Sequence, residues 1–402
     1  MRFLISTIFC FCFLHCLQAQ RCDTYNYLQK SLTTNSRISS HASVMGEFEP
    51  GKKIVIPVVI HLLYNTATQN ISDAQILSQL QSLNKDFRKL NGDTVNIPAA
   101  FAGLSADAGI TFCLAKQDAK GKPTTGIVRK FTSLPHFMTD DAMKFSASGG
   151  DDAWDTKKYL NIWVCNLFGR SLGYATLPGS AADKDGLVIK YDAFGTMGTL
   201  TAPFNKGRTA THEIGHWLGL QHLWGDANCG TDGIDDTPPQ QSYNNGCPAF
   251  PHKTLCSINN NGDMFMNFMD FTDDACMNMF THGQKNKMRS QFAQGGARNS
   301  FLNSSTCDSV GIQQGSLPED IAAKTMINIY PNPVSSILNI DFSNGSIREK
   351  KLQIFNAFGR EIITVVFTSQ KKSIPVNHLP AGVYFLQINN GKEKKVLKFL
   401  KL

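Results

Sequence analysis

The stretch Thr211-His212-Glu213-Ile214-Gly215-His216-Trp217-Leu218-Gly219-Leu220-Gln221-His222 restricts what this chain can fold into more than any other. On a helix His212 and His216 are four residues apart, so both imidazoles leave one face about a turn apart and can grip a single metal ion. Glu213 stands beside them as a candidate base. A third histidine at helical spacing would fall where Gly219 and Leu220 stand, and the next histidine is His222. The helix must therefore stop, and glycine accepts the positive φ of a helix C-terminal turn, which lets His222 meet the metal from another direction. Three histidines leave a fourth position open for water, the arrangement of a catalytic zinc. A bare HExxH arises by chance in long helical proteins. The longer HExxHxxGxxH sets three ligands, a base and a helix-ending glycine together.

The 402 residues suffice for two or three domains. Residues 1–19 carry Arg2, an apolar run and a small residue at Ala19, the pattern of a signal peptide, and no later segment is apolar for long enough to span a bilayer. Export implies an oxidising compartment for Cys22, Cys113, Cys165, Cys229, Cys247, Cys256, Cys276 and Cys307. Four of these fall in the loop-rich stretch after the zinc motif. The net charge of +7 resides at the C-terminus, where residues 326–402 hold eleven Lys and Arg against four Asp and Glu. Residues 223–280 contain eight aspartates and only Lys253 as a basic residue. An acidic region beside the metal disfavours nucleic acid and favours cations or basic substrates.

Residues 20–50 are polar without a sustained apolar period and read as a short pro-segment. Its Cys22 suits two roles: a thiolate that fills the open zinc position and keeps the chain latent, or a partner in an ordinary disulfide. Residues 54–63 are β-branched and apolar, a buried strand in which His61 reads as structural. A helical period with Ser72 as N-cap runs over residues 71–90, and residues 109–114 and 158–165 read as further strands. Residues 169–178 and 186–191 read as edge elements and turns. Strands and a long helix before the zinc helix suit an α/β domain. After His222 periodicity vanishes for about fifty residues, a length expected of a functional or cross-linked loop. Within it Asp232-Gly233-Ile234-Asp235-Asp236-Thr237-Pro238 is an oxygen-rich turn that could bind calcium or simply be solvated. Met269 lies 47 residues beyond His222.

The zinc motif with a methionine turn at Met269 resembles the metzincin endopeptidases. The match narrows on Gly207-Arg208-Thr209-Ala210-Thr211-His212-Glu213, on Asp236-Thr237-Pro238, and on the run from Asp263 through Met269 and Cys276 to Phe280, which look like the pappalysin family over roughly residues 50–300. The resemblance implies a twisted sheet with a long active-site helix, zinc on His212, His216 and His222, and a secreted endopeptidase acting on proteins or peptides. It also implies disulfides Cys229–Cys256 and Cys247–Cys276, calcium around Asp232, Asp236 and Thr237, and latency through Cys22. Asp274 falls where arginine-preferring members keep an acidic pocket floor, so cleavage before Arg, and by extension Lys, is expected. One departure stands out: related enzymes often carry a tyrosine where this chain has Phe271. The competing expectation is a binding or adhesion protein that keeps the scaffold without turnover.

Ile329-Tyr330-Pro331-Asn332-Pro333, Gly382-Val383-Tyr384-Phe385 and the basic terminus look like the C-terminal sorting domain of type IX secretion. That resemblance implies a small β-sandwich, export by that machinery and a secreted or cell-surface location, whereas an adhesive or carbohydrate-binding module of the same shape is the alternative. The expected organisation is a signal peptide (1–19), a pro-segment (20–50), a catalytic domain (51–300), a linker (301–325) and the sorting domain (326–402).

Overall fold

The computed structural model describes residues 21–34, 48–49, 51–258, 261–307, 326–330, 333–343, 350–356, 360–369, 371–389 and 394–402. The expected signal peptide, residues 35–47 of the expected pro-segment and most of the expected linker lie outside them. Two compact units divide the chain, one up to Ile312 and one from Gln313.

In the first unit, helix α1 (Thr24–Thr34) precedes β1 (Ile54–Tyr64), α2 (Asp73–Asp86), a single turn α3 (Ala99–Ala102), β2 (Ile110–Leu114) and β3 (Ile127–Phe131). Then come β4 (Leu160–Cys165), β5 (Gly173–Ala175), β6 (Leu187–Lys190), α4 (Arg208–Trp217) and α5 (His282–Ser290). The sheet runs β2-β1-β4-β6-β5. β1 is long enough to pair with β2 along Ile54–Val58 and with β3 along Ile60–Tyr64. These pairings are parallel, as are β1 with β4 and β4 with β6, and burial on both faces explains why β1 is an unbroken apolar run. β5 alone is antiparallel and ends the sheet, so one row of its backbone groups faces the cleft.

Three sequence expectations need correction. Residues 186–191 are not an edge: β6 lies between β4 and β5. The polar pro-segment contains α1, because Tyr27 is buried and Leu28 packs beside it while Tyr25 and Asn26 face outwards. Residues 301–307 are not linker, since Phe301 is buried against Trp217 and Cys307 is bonded to Cys113. β3 and α5 escaped the reading. The available signal for α5 was the capping box of Thr281 and Gln284 that opens it.

α4 is seated by a buried polar seam with α2. Gln79 donates to the Gly207 carbonyl at 2.9 Å, and Asp86 accepts from Thr211 at 2.6 Å and pairs with Arg208. Burial pushes the Asp86 carboxyl up to about 6 even though Arg208 pulls it down. The irregular loop after α4 is closed by disulfides Cys229–Cys256 and Cys247–Cys276. Cys165 is buried and in no disulfide.

The second unit holds β7 (Met326–Tyr330), β8 (Ile337–Ser343), β9 (Lys350–Asn356), β10 (Glu361–Phe367), β11 (Lys371–Pro375), β12 (Gly382–Asn389) and β13 (Lys394–Lys401). Antiparallel sheets β10-β9-β12-β13 and β11-β8-β7 enclose one core that includes Leu338, Ile354, Ile374, Leu386 and Phe399. This is a small all-β sandwich.

Candidate active site

α4 presents His212 and His216 on one face and ends at Trp217. Gly219 follows with φ of 90°, and the chain turns back so that His222 joins the other two. The three Nε2 atoms stand 3.1 Å (His212 to His216), 3.0 Å (His216 to His222) and 3.3 Å (His212 to His222) apart. Each Nδ1 is fixed from behind: His212 by the Phe268 carbonyl at 2.7 Å, His216 by the Leu220 carbonyl at 2.9 Å, and His222 by Asp226 at 2.5 Å. Such partners select the tautomer whose Nε2 lone pair faces the centre. Tetrahedral zinc at about 2.0–2.1 Å from each nitrogen needs ligand separations only slightly larger than these, so the residues fit that ion. Burial, then the neighbouring imidazoles, hold His212 and His216 well below the usual histidine range, in the neutral form that coordinates a metal.

Beneath this centre Met269 is fully buried, and a Cβ at Gly215 would overlap its sulfur. The glycine inside the motif therefore lets the methionine turn approach the helix. Phe271 packs with ring centroids 5.7 Å from His212, 4.8 Å from His222 and 5.0 Å from Trp224, so an apolar ring occupies the place of the expected phenol.

The pro-segment fills the cleft. Cys22 is buried and belongs to one cluster with His212, His216 and His222, whose ligand atoms lie within 4.8 Å of one another. No other such metal-binding cluster occurs among the described residues. Cys22 is in no disulfide. The Thr24 amide donates to its sulfur at 3.3 Å, and burial, then the charge of Glu213, raise the thiol well above its usual value. Thr24 Oγ1 also donates to Glu213 Oε2 at 2.9 Å. Burial pushes the Glu213 carboxyl up to about 8, against the hydrogen bonds from Cys22 and Thr24. The chain runs along the sheet edge: the Asp23 amide donates to the Gly173 carbonyl at 3.0 Å, and the Ala175 amide to Thr24 Oγ1 at 2.9 Å. Gly173 is required there, because a Cβ would come within 2.9 Å of the Val188 carbonyl oxygen and press towards Glu213 Cγ.

Arg21 enters a closed pocket. Its guanidinium is buried, pairs with Asp274 Oδ1, donates to the Thr272 carbonyl at 2.9 Å and lies 5.0 Å from the Phe204 ring centroid. The other Asp274 oxygen accepts the amides of Lys206 at 2.7 Å and Arg208 at 3.2 Å, which ties the pocket floor to the start of α4. Sequence reasoning passed over Arg21, Thr24 and Asp226. An arginine next to Cys22 was the signal for the first, and only the fold reveals the others.

The acidic turn is divided. Asp232 and Thr237 meet, with Thr237 Oγ1 2.7 Å from Asp232 Oδ1, and Asp232 Oδ2 is buried without a protein hydrogen-bond partner. Asp236 turns instead to α5, accepting from Thr281 and from the Gly283 amide, each at 2.7 Å.

Comparison with known proteins matches this geometry. Residues 146–293 fit the family model described as pregnancy-associated plasma protein-A, that of peptidase family M43. Residues 328–401 fit the secretion system C-terminal sorting domain. An extracellular metalloprotease of Pyricularia oryzae is 33% identical over 251 residues, which cover 60% of this chain and 76% of the relative. Mature mirolysin of Tannerella forsythia, solved with a cleaved peptide, is 53% identical with a TM-score of 0.62, covering 63% of this chain and 96% of that one. A promirolysin variant from the same organism is 49% identical with a TM-score of 0.62, covering 69% and 91%. No described helix is long and apolar enough to cross a membrane. The chain belongs to the pappalysin family of metzincin metalloendopeptidases and is a secreted or cell-surface member that carries a type IX secretion sorting domain.

Proposed function

We propose that this protein is a latent zinc endopeptidase that cleaves protein chains before arginine, and lysine to a lesser degree, with Glu213 as general base. The observation that carries the specificity is Arg21 seated on buried Asp274 beside the three-histidine centre. A guanidinium on a buried carboxylate is the contact an incoming substrate arginine would make.

His212, His216 and His222 would hold zinc, which supplies a water acidified towards neutral pH and a polarised scissile carbonyl. Glu213 accepts a proton from the attacking water and returns it to the departing amine. Substrate pairs in extended form with β5 through the Gly173 carbonyl and the Ala175 amide, the groups that now hold Asp23 and Thr24. Intact ligands and a base favour turnover over the adhesion reading, and Phe271 costs only the help of a phenol hydroxyl. The test is a proteome-derived peptide library incubated with the activated chain and read by mass spectrometry. Chelator-sensitive cuts before arginine support the proposal; chelator-insensitive cuts, or none, overturn it, and sensitive cuts at other residues remove its specificity.

We assign latency to Cys22, since its sulfur clusters with the three imidazoles and would take the ligand position a water needs. The full-length Cys22→Ala chain is expected to cleave an arginine peptide at once, at least tenfold faster than the unaltered zymogen at time zero. An unchanged lag in a continuous fluorescence assay would remove Cys22 from latency.

We also read Asp232 and Thr237 as calcium ligands, on the strength of the unpartnered buried Asp232 oxygen. Asp236 contributes less directly, since its carboxylate caps α5. Calcium at about 100 times its Kd should raise the melting temperature by about 5 °C, and Asp232→Ala should abolish that rise. Scanning fluorimetry with calcium against magnesium reads the difference.

A further inference from the structure

Beyond the arginine pocket, the pro-segment makes a second anchored contact. Tyr27, in the first turn of α1, is 8% exposed although its neighbours Tyr25 and Asn26 face solvent. Its ring lies 4.8 Å from Tyr174 at an interplanar angle of 38°, with Lys144 Nζ 5.4 Å from its centroid. Its hydroxyl donates to Asp141 Oδ2 at 2.8 Å.

The receiving groups belong to the catalytic unit and are built to stay. Asp141 is 2% exposed, and its Oδ1 accepts from Tyr174 at 3.1 Å and from Lys144 at 2.9 Å. Lys144, fully buried, is held by the Lys184 carbonyl at 2.8 Å and lies over Tyr174 and Trp163. Leu63, Phe137 and Met143 complete the apolar cluster. When the pro-segment leaves, Asp141 Oδ2 keeps Lys184 at 3.4 Å and loses its hydroxyl donor. What remains is an apolar, aromatic-walled recess with one carboxylate oxygen asking for a donor.

We infer that this recess is a substrate subsite for a tyrosine side chain upstream of the cleaved bond. The inference rests on the endopeptidase reading above: with Arg21 in the downstream pocket and Cys22 at the three histidines, the pro-segment runs opposite to a substrate, so that Thr24 to Tyr27 lie on the upstream side. Charge selects a phenol. Lys144 and Lys184 already pair with Asp141, so a substrate Lys or Arg would be a third cation competing for one carboxylate. Phenylalanine fills the apolar walls but leaves the carboxylate without its partner. Distance sets the position. One extended residue, Asp23, and the four helical residues from Thr24 to Tyr27 span roughly 9 Å beyond Cys22, about three residues of an extended substrate. The tyrosine therefore falls third or fourth before the scissile bond.

The test uses the activated enzyme released from the full chain and one peptide sequence with a single arginine after the scissile bond. Tyr, Phe, Ala or Lys is placed in turn at the second, third and fourth upstream positions, and kcat and KM are measured separately. Tyr at the third or fourth position should raise kcat/KM about tenfold over Phe and more over Ala, carried mainly by KM, with Lys poorest. In Asp141→Asn the Tyr-to-Phe ratio should shrink to about twofold; if that variant does not fold, the peptide series on the unaltered enzyme decides. Equal kcat/KM for Tyr, Phe and Ala at every position overturns the subsite alone. Failure to cleave any peptide overturns the endopeptidase reading and the subsite with it.

Discussion

Glu213→Gln leaves a folded chain that retains its zinc and loses about 10⁴-fold in kcat/KM on arginine peptides. Glutamine keeps the shape, so in the latent chain it still accepts the hydrogen bond that Thr24 Oγ1 gives at 2.9 Å, and once the pro-segment leaves it imposes no new bulk on the helix or the three imidazoles. What disappears is a group able to take a proton from water and return it to the amine, a role whose removal costs about 10²–10⁴-fold. The high end is expected here, because the metal-binding cluster itself holds no carboxylate that could replace Glu213. Zinc content by atomic absorption beside a peptide assay separates the base from the ligands. Residual activity within tenfold of the unaltered enzyme would move the base elsewhere.

The second large effect concerns Asp274. Asp274→Asn should lower kcat/KM for cleavage before arginine by about 10²–10³-fold, because removing one member of a buried charge pair leaves the other uncompensated at about 3–5 kcal/mol. Asparagine is the informative choice over alanine. The amides of Lys206 and Arg208 still find an oxygen acceptor at the start of α4, so the loss of charge is read apart from damage to the active-site helix. Peptides with a neutral residue after the scissile bond should change less than threefold. An equal fall on both peptide types would make Asp274 a support of the helix and not a determinant of specificity.

The three-histidine cluster was legible because its members are local. His212, His216, Gly219 and His222 lie within eleven residues, and helical geometry with one left-handed turn suffices to bring the imidazoles together. β1 and α2 were legible for the same reason, since an apolar run and a capped amphipathic period are properties of a short window. β3 was not, because only pairing with the far half of β1 makes its half-exposed residues a strand. α1 was hidden by its polarity: a single buried face supplied by Tyr27 and Leu28 gives too little period to read.

The sequence by itself determined the metal-binding chemistry, the candidate base and the two-unit organisation, because each is written in residue types at short, regular spacing. Tertiary structure decided how the site is closed and what it selects. Arg21 and Asp274 are 253 positions apart and Tyr27 and Asp141 are 114 apart, and no local period relates them. Cys113 met Cys307 across 194 residues for the same reason. Contacts at that separation depend on how the sheet and loops stack, and the free energy that holds them comes from burial, which a linear pattern does not specify.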